Sequence, residues 1–161
     1  MVKIENHTSF KEVMSHWASG VAIISTTDEN NKPHGLTVSS FNSASLVPEL
    51  ILFSISQHSH TLDIILSAEK FAVNILNVNQ QHIADICSKK VDDKFTHFEY
   101  VIGNFSPLIT GAICHMECSL EHCYEAGDHR IIVGRVLSLS VNNTLAPLVY
   151  HSRGYKSLLE Q

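Results

Sequence analysis

The chain has 161 residues, 44% hydrophobic and 17% charged, which is enough for one domain with a buried core. Its formal net charge of −5 offers no basic surface for nucleic acid or for an anionic membrane. No apolar run approaches the roughly 20 residues of a spanning helix, and residues 1–12 lack the apolar core of a secretion signal. We therefore expect a single soluble, cytoplasmic domain over residues 1–161 that binds neither nucleic acid nor membrane.

The first elements are a short helix and a hairpin. Ser9–Glu12 has the S-x-x-E form of a capping box, and apolar residues follow at helical spacing as far as Trp17. We expect the apolar face of this helix, over about residues 10–17, to cover one side of a sheet. The β-branched stretch Val21–Thr27 predicts a strand that turns and returns through His34–Ser40.

Gly35–Ile55, GLTVSSFNSASLVPELILFSI, carries many short hydroxyl and amide side chains and few charges. Such a segment suits a large, mostly apolar ligand that also takes hydrogen bonds. Gly35 inside a strand indicates either a bulge or barrel corner, or a close approach to a ligand. The hydroxyls that follow favour the ligand. The apolar run Leu50–Ile55 predicts a strand buried on both faces.

A helix is predicted to begin near Ser59, where exposed amides lie beside the Ser59 and Thr61 hydroxyls. This is either a simple N-cap or a site for a phosphate group, and its position one strand after the hydroxyl-rich segment favours the phosphate. Next come a strand over Phe71–Leu76, a helix over Gln80–Lys89 and a charged surface loop that ends at Lys94.

Two long strands close the pattern. From Ala112, apolar residues alternate with His115, Glu117 and Ser119, which predicts a strand with one wet face. After the turn at Gly127 and Asp128, the alternation resumes to Val141, so the two strands form an antiparallel hairpin. Short antiparallel strands with a few helices predict a closed or partly split barrel.

Four cysteines and eleven histidines raise the question of a disulfide or a metal site. Cys114 and Cys118 lie four residues apart in a strand pattern, which separates them by about 13 Å, beyond the reach of a disulfide or one metal ion. Cys123 has the opposite parity and is expected to face away. The histidines show no ligand spacing. We interpret the thiols as reduced and predict no metal site.

Several segments together resemble the flavin-reductase-like family, whose fold is the FMN-binding split barrel, an antiparallel Greek-key barrel. Besides Gly35–Ile55 they are SHTLDIILSAEKFAVNIL (59–76), DKF (93–95), GDH (127–129) and PLVYHSRGYKSL (147–158). In one departure, Pro48 is followed by Glu49 where many members have a second proline. The resemblance implies a mostly β fold with short flanking helices, and a homodimer with the flavin near the subunit interface.

The resemblance also implies an NAD(P)H:flavin oxidoreductase that reduces FMN or FAD with NADH or NADPH and passes reduced flavin to a separate oxygenase component. Hydride passes directly between the two rings, so the protein must mainly position them. The residues expected to bind flavin lie in the hydroxyl-rich segment, at the following helix start and in the K-F pair of the family: Thr37, Val38, Ser39, Ser40, Ser43, Ser45, Ser54, Ser59, His60, Thr61, Lys94 and Phe95.

The nicotinamide side is expected at His129 and at Arg153, Gly154 and Tyr155, which match family segments. His129 is the candidate catalytic residue, and the alternative is a turn histidine bonded to Asp128. Arg153 and Tyr155 are equally compatible with a surface arginine and a tyrosine that docks the tail.

Two other functions remain open. The first is a non-catalytic or differently reactive flavin-binding protein, because a fold does not dictate a function. The second, and weaker, is a structural or metal-linked module built from the His and Cys content.

Overall fold

Strands dominate residues 9–142 and 144–158, which are the residues that the structure, a computed structural model, describes. The helices are α1 (Phe10–Ser15), α2 (His60–Ala68) and α3 (Gln81–Cys87), with single 3₁₀ turns at Val78–Gln80 and Lys94–His97. The strands are β1 (Ser19–Gly20), β2 (Ala22–Thr27), β3 (Pro33–Val38), β4 (Asn42–Leu46), β5 (Glu49–Ser56), β6 (Lys70–Ile75), β7 (Tyr100–Ile102), β8 (Pro107–Ile109), β9 (Cys114–Ala126), β10 (His129–Val141), β11 (Val149–His151) and β12 (Gly154–Lys156).

Seven strands form one antiparallel sheet in the order β3-β2-β6-β9-β10-β5-β4. Its centre is the predicted hairpin of β9 and β10, in which Ala126 pairs with His129. The Ser40 hydroxyl, just after β3, donates to the Ser54 carbonyl of β5 at 3.1 Å and accepts from the Ser54 N–H at 3.0 Å. One side chain therefore joins β3 to β5 across the opening of the barrel. The predicted mostly β, antiparallel architecture is confirmed.

Two apolar clusters pack on the two faces of β2. The first includes Ile24, Phe53, Phe71 and Ile132, and the second includes Ile23 together with residues of α3 and β8. Because successive side chains of a strand point to opposite faces, β2 belongs to both clusters and is buried on each side. α3 is thereby fixed against the outside of the barrel, beside β3.

The expectation for the first helix was wrong in one respect. α1 ends at Ser15, and its apolar side chains do not cover the sheet: Phe10 is 80% exposed and Trp17 71% exposed. The helix is held at its end by a backbone bond from the Ser152 N–H to the Ser15 carbonyl at 2.7 Å, rather than by apolar packing. Its apolar face is thus uncovered in the single chain.

The burial predicted for two strands was also wrong. In β5, Ile51, Phe53 and Ile55 are buried, but the residues between them are only partly buried, so the strand has one core face. In β9, Glu117 lies on the face predicted to be wet and is only 3% exposed. The loop 103–106 folds over this part of β9 and donates hydrogen bonds to the Glu117 carboxylate, which no periodicity within β9 could indicate.

Cys123 was expected to face away from Cys118, yet both contact the same core cluster. The register of β9 and β10 shifts between Val133 and Gly134, so an extra residue of β9 reverses the side-chain alternation. All four cysteines are free thiols. Across residues 9–142 and 144–158, no helix is long and apolar enough to span a membrane.

Candidate functional site

A cleft of about 970 Å³ opens between β3, β5 and the start of α2. The loop 88–94, which follows α3, forms its other wall, and the first residue of β10, His129, also lines it. The cleft collects these predicted residues: Thr37, Val38, Ser39, Ser40, Ser54, Ser59, His60, Thr61, Lys94 and His129. Segments more than 90 residues apart in sequence therefore meet at one site.

Two of the hydroxyls on the β3 wall form hydrogen bonds within the protein. Thr37 Oγ1 donates to the Ala84 carbonyl of α3 at 2.7 Å, and Ser40 bridges to Ser54 as described above. These bonds hold α3 and β5 against β3 and so shape the wall. The exposed Ser39 hydroxyl and the polar backbone edge remain to meet a ligand.

The start of α2 forms one end of the cleft. Ser59 occupies the N-cap position, but its side chain makes no capping bond, so the first amides of the helix are not satisfied by it. The Thr61 side chain, 8% exposed, also lines the cleft, and its hydroxyl has no hydrogen-bond partner among the described residues. Uncapped amides beside the hydroxyl of this largely buried threonine form a suitable place for a phosphate group.

Lys94 links β3 to α3 through its side chain. Its half-buried ammonium donates to the Gly35 carbonyl of β3 and to the Cys87 carbonyl of α3, each at 3.1 Å. Burial lowers the pKa of Lys94, and it raises the pKa of the neighbouring Cys87 thiol to about 12. The Lys94 ammonium thus holds the loop 88–94 against β3, and the two carbonyls accept its hydrogen bonds.

Gly35 lines the cleft, so the predicted approach of a ligand stays a prediction, and the core supplies a further reason for the glycine. A Cβ at this position would lie 3.0 Å from the Ile24 carbonyl and 3.1 Å from the Phe95 ring. Phe95 itself is buried beneath β3, against Phe98 and Tyr100, and does not line the cleft. The glycine therefore accommodates an aromatic ring of the core. Pairing of Phe95 with Gly35 supports the strand that forms the wall.

His129 lies at the cleft and also has the alternative contact predicted from sequence. Its Nδ1 is 2.7 Å from the Asp128 carboxylate, and this hydrogen bond holds the pKa of Asp128 below the usual range. The first pair of β10 with β5 joins His129 to Ser56, so the ring is placed at the end of the cleft wall. The contact with Asp128 orients the imidazole and does not remove it from the cleft.

Other predicted residues lie elsewhere. Ser43 and Ser45 line a separate groove of about 430 Å³ between β4, β5 and the β9–β10 hairpin, because the chain leaves the cleft after Ser40. Gly154 and Tyr155 belong to β12 of the small sheet of β1, β11 and β12, and Arg153 lies in the turn between β11 and β12; none of the three lines the cleft. The Tyr155 ring packs edge-on against Tyr150, with 5.5 Å between centroids.

His34 is a cleft residue that the sequence analysis did not single out. Its Nε2 donates to the Asp28 carboxylate at 3.0 Å, and its ring meets the His60 ring edge-on. The two histidines are 26 positions apart, so no local spacing could have paired them. The described residues contain no group of three His, Cys, Asp or Glu side chains placed to hold a metal ion.

Comparisons with known proteins identify the family of this chain. The family model of the flavin reductase-like domain matches residues 14–159. A flavin reductase of Pseudomonas putida is 34% identical over 91% of this chain and 86% of its own length. The reductase subunit of a flavin-dependent monooxygenase of Rhodococcus jostii is 33% identical, over 92% of this chain and 76% of its own length.

Length varies among these relatives. The chain spans 47% of a 32% identical Rhizobium meliloti protein named "Probable flavin reductase". Among solved structures, an NADH:FAD oxidoreductase of Streptomyces globisporus, in complex with NAD and FAD fragments, matches with a TM-score of 0.90 at 25% identity. That match covers 99% of this chain and 96% of the other. The split-barrel fold, the family and the flavin-reductase class of enzyme are therefore as predicted, and the chain belongs to the flavin reductase-like domain family.

Proposed function

We propose that this protein reduces a flavin with a reduced nicotinamide dinucleotide and that the flavin binds in the cleft between β3, β5 and α2. One observation carries the proposal: a hydroxyl-lined wall and an uncapped helix start lie in the same cleft of about 970 Å³. A tricyclic ring with a phosphate-bearing tail needs both features, and a cleft of this volume has room for it.

The residues present fit such a group. The β3 wall from Thr37 to Ser40, with Ser54 beside it, offers backbone and hydroxyl groups for the ring's polar edge. Ser59, His60 and Thr61 lie where amides and hydroxyls would hold a phosphate. Lys94 supports the wall through two carbonyl bonds. Ser43, Ser45 and Phe95 lie away from the cleft and are not part of this proposal.

The bound flavin supplies the electron-accepting ring, and the protein's task is to orient it against the nicotinamide and to exclude water. His129, held by Asp128, is the residue proposed to orient the nicotinamide or to stabilise the reduced ring. Arg153, Gly154 and Tyr155 remain candidates for the dinucleotide. They lie outside the cleft, so they can contact the dinucleotide only if it extends from the cleft to the small sheet.

The finer parts of the proposal concern partners and setting. We propose a homodimer, because the apolar face of α1 is uncovered in the single chain. We propose further that the enzyme supplies reduced flavin to an oxygenase component, a role consistent with the name of the Rhodococcus relative as the reductase subunit of a flavin-dependent monooxygenase. We also propose that it acts in the cytoplasm. Both FMN and FAD, and both nicotinamides, are substrates to be compared.

The test is a steady-state matrix of NADH and NADPH against FMN, FAD and riboflavin, together with anaerobic mixing. The proposal predicts saturable flavin binding and bleaching of the yellow flavin absorbance when NADH or NADPH is added without oxygen. If flavin binds and stays yellow with both nicotinamides, the protein is a flavin-binding protein without reductase activity. If no flavin binds, the assignment of the cleft is wrong.

A further inference from the structure

Asp28, His34 and His60 form a connected array at the α2 end of the cleft. The Asp28 carboxylate accepts from His34 Nε2 at 3.0 Å and from the N–H groups of Asn30 and Lys32, each at 2.9 Å. These bonds, that of His34 first, hold the pKa of Asp28 below its usual range. The carboxylate is therefore a fixed negative charge that orients the His34 ring.

The array continues to the helix start. The rings of His34 and His60 meet edge-on, with 5.6 Å between centroids and an angle of 79° between planes. His60 is the first residue of the nine-residue helix α2, whose N-cap side chain makes no capping bond. Next to it, Thr61 is 8% exposed, lines the cleft and has a hydroxyl without a partner among the described residues. A hydroxyl without a partner in the described part of the chain, open to the cleft beside uncapped amides, is suited to receive an anion at the helix start.

Most of the other charged groups facing this end of the cleft are already engaged. Lys32 pairs with Asp93 at 2.7 Å, Lys94 is bonded to two carbonyls, and His129 is bonded to Asp128. His58, on the turn before α2, and Lys89, Lys90 and Asp92, on the opposite loop, are exposed. The imidazoles of His34 and His60 are thus the titratable groups in contact with each other at the helix start.

We propose that His34, positioned by Asp28, and His60 are specificity determinants that select flavins carrying a phosphate, and that a proton from solvent is taken up on this imidazole pair when the phosphate binds. The inference rests on the proposed function of the same cleft. A phosphate next to an imidazole favours the imidazolium, and the Asp28 carboxylate stabilises the same charged form on the other side of the ring.

The sign of the pH dependence follows from proton uptake. Because the bound phosphate favours the charged imidazole, the gain in affinity is complete at low pH and is lost as the pH rises through the titration of the complex. One proton taken up corresponds to a limit of about tenfold in affinity per pH unit. Riboflavin has the same ring without a phosphate and lacks this gain.

The experiment is calorimetric and fluorescence titration of the full chain with FMN, FAD and riboflavin between pH 6 and pH 8, in phosphate-free buffers. Two buffers of different ionisation enthalpy give the number of protons taken up by the unaltered protein, which is independent of any variant. FAD is the cleaner probe, because its diphosphate does not titrate in this range. His34→Gln, His60→Gln and Asp28→Asn are compared with His82→Gln, an exposed histidine of α3 outside the cleft.

We expect proton uptake with FMN and FAD, none with riboflavin, and tighter binding of the phosphorylated flavins at pH 6 than at pH 8. The three cleft variants should flatten that slope while riboflavin affinity changes less than twofold, and His82→Gln should match the parent. Equal affinities for FMN and riboflavin, or no proton uptake, would overturn this inference alone. Failure of all three flavins to bind would instead overturn the proposed function.

Discussion

Lys94 and Glu117 are charged side chains that the fold turns inward, and each stabilises a different loop. Lys94 ties the loop 88–94 to β3 at the cleft, whereas Glu117 holds the loop 103–106 against β9. The Glu117 carboxylate accepts from the Asn104 side chain at 2.6 Å, the Phe105 N–H at 3.0 Å and the Ser138 hydroxyl at 3.1 Å. Burial raises its pKa, but these bonds outweigh burial, and the pKa lies below its usual value.

Replacing Glu117 with glutamine should lower the free energy of unfolding by about 2–3 kcal/mol at pH 7, because an amide N–H₂ then faces a hydrogen-bond donor in a buried site. A carboxyl with a lowered pKa contributes stability above its unfolded pKa, and this contribution is lost as the pH falls through the folded pKa. The difference between the parent and E117Q in urea unfolding should therefore shrink below about pH 4.5.

The matched control is Glu125→Gln on the same strand, whose carboxylate is 80% exposed in an ion pair with Arg130. It should change stability by less than about 0.5 kcal/mol. A Glu117→Gln protein as stable as the parent at pH 7 would show that the buried carboxylate does not hold the loop.

His129 is the single residue on which the proposed nicotinamide contact depends. Its removal by His129→Ala should leave flavin affinity nearly unchanged and lower kcat/KM for the reduced nicotinamide about tenfold, the effect of one lost hydrogen bond of about 1.4 kcal/mol. His122→Ala, which replaces an exposed histidine of β9 outside the cleft, serves as the control. Unchanged turnover in H129A, with flavin bound, would remove His129 from the mechanism.

At the scale of elements, the β9–β10 hairpin positions His129 and forms the centre of the seven-stranded sheet. Its packing on β6 depends on Gly134, where a Cβ would lie 2.5 Å from the Phe71 ring and 3.2 Å from Cys118 Cβ. No real contact is as short as the first, so an added methyl group would displace a buried ring that also packs edge-on against Phe53.

We therefore expect Gly134→Ala to destabilise the protein by about 1–3 kcal/mol, the usual cost of overpacking a core. Gly20→Ala is the control, because a Cβ there would have no neighbour within 4 Å. Urea unfolding at fixed pH compares the two variants. Equal midpoints for G134A and G20A would mean that the core can accommodate the extra methyl group without strain.

At the scale of the molecule, the uncovered face of α1 is the feature that a single chain leaves unexplained. Phe10, Val13, Met14 and Trp17 are 48–80% exposed, although they are spaced as a packing face. Exposed apolar side chains grouped on one surface are typical of an interface between proteins. This is the basis for the homodimer proposed above.

Light scattering after size exclusion should accordingly give twice the 17.9 kDa mass of the chain. The double variant Phe10→Ser, Trp17→Ser should weaken the association and shift the mass toward that of the monomer at low micromolar concentration. Lys11→Ser, an exposed polar position on the same helix, is the control. A monomeric parent protein would contradict the homodimer.

Much of this molecule follows from local pattern. Alternation of apolar residues predicted the β9–β10 hairpin, because side-chain periodicity reports which backbone conformation buries an apolar face. The hydroxyl-rich strand and the helix start at Ser59 predicted the main walls of the cleft. The order of the matched segments was also enough to indicate the family.

The remaining features of the site depend on contacts between segments far apart in sequence, because the order of the strands in the sheet decides which side chains meet. Ser43 and Ser45 look equivalent to Ser39 in sequence, yet the chain leaves the cleft after Ser40 and a register shift follows between Ser43 and Ser45. Glu117 became buried because a distant loop folds onto it, and one extra residue in β9 returned Cys123 to the core face. The meeting of His34 with His60 depends on how α2 packs beside β3, which short-range periodicity does not report.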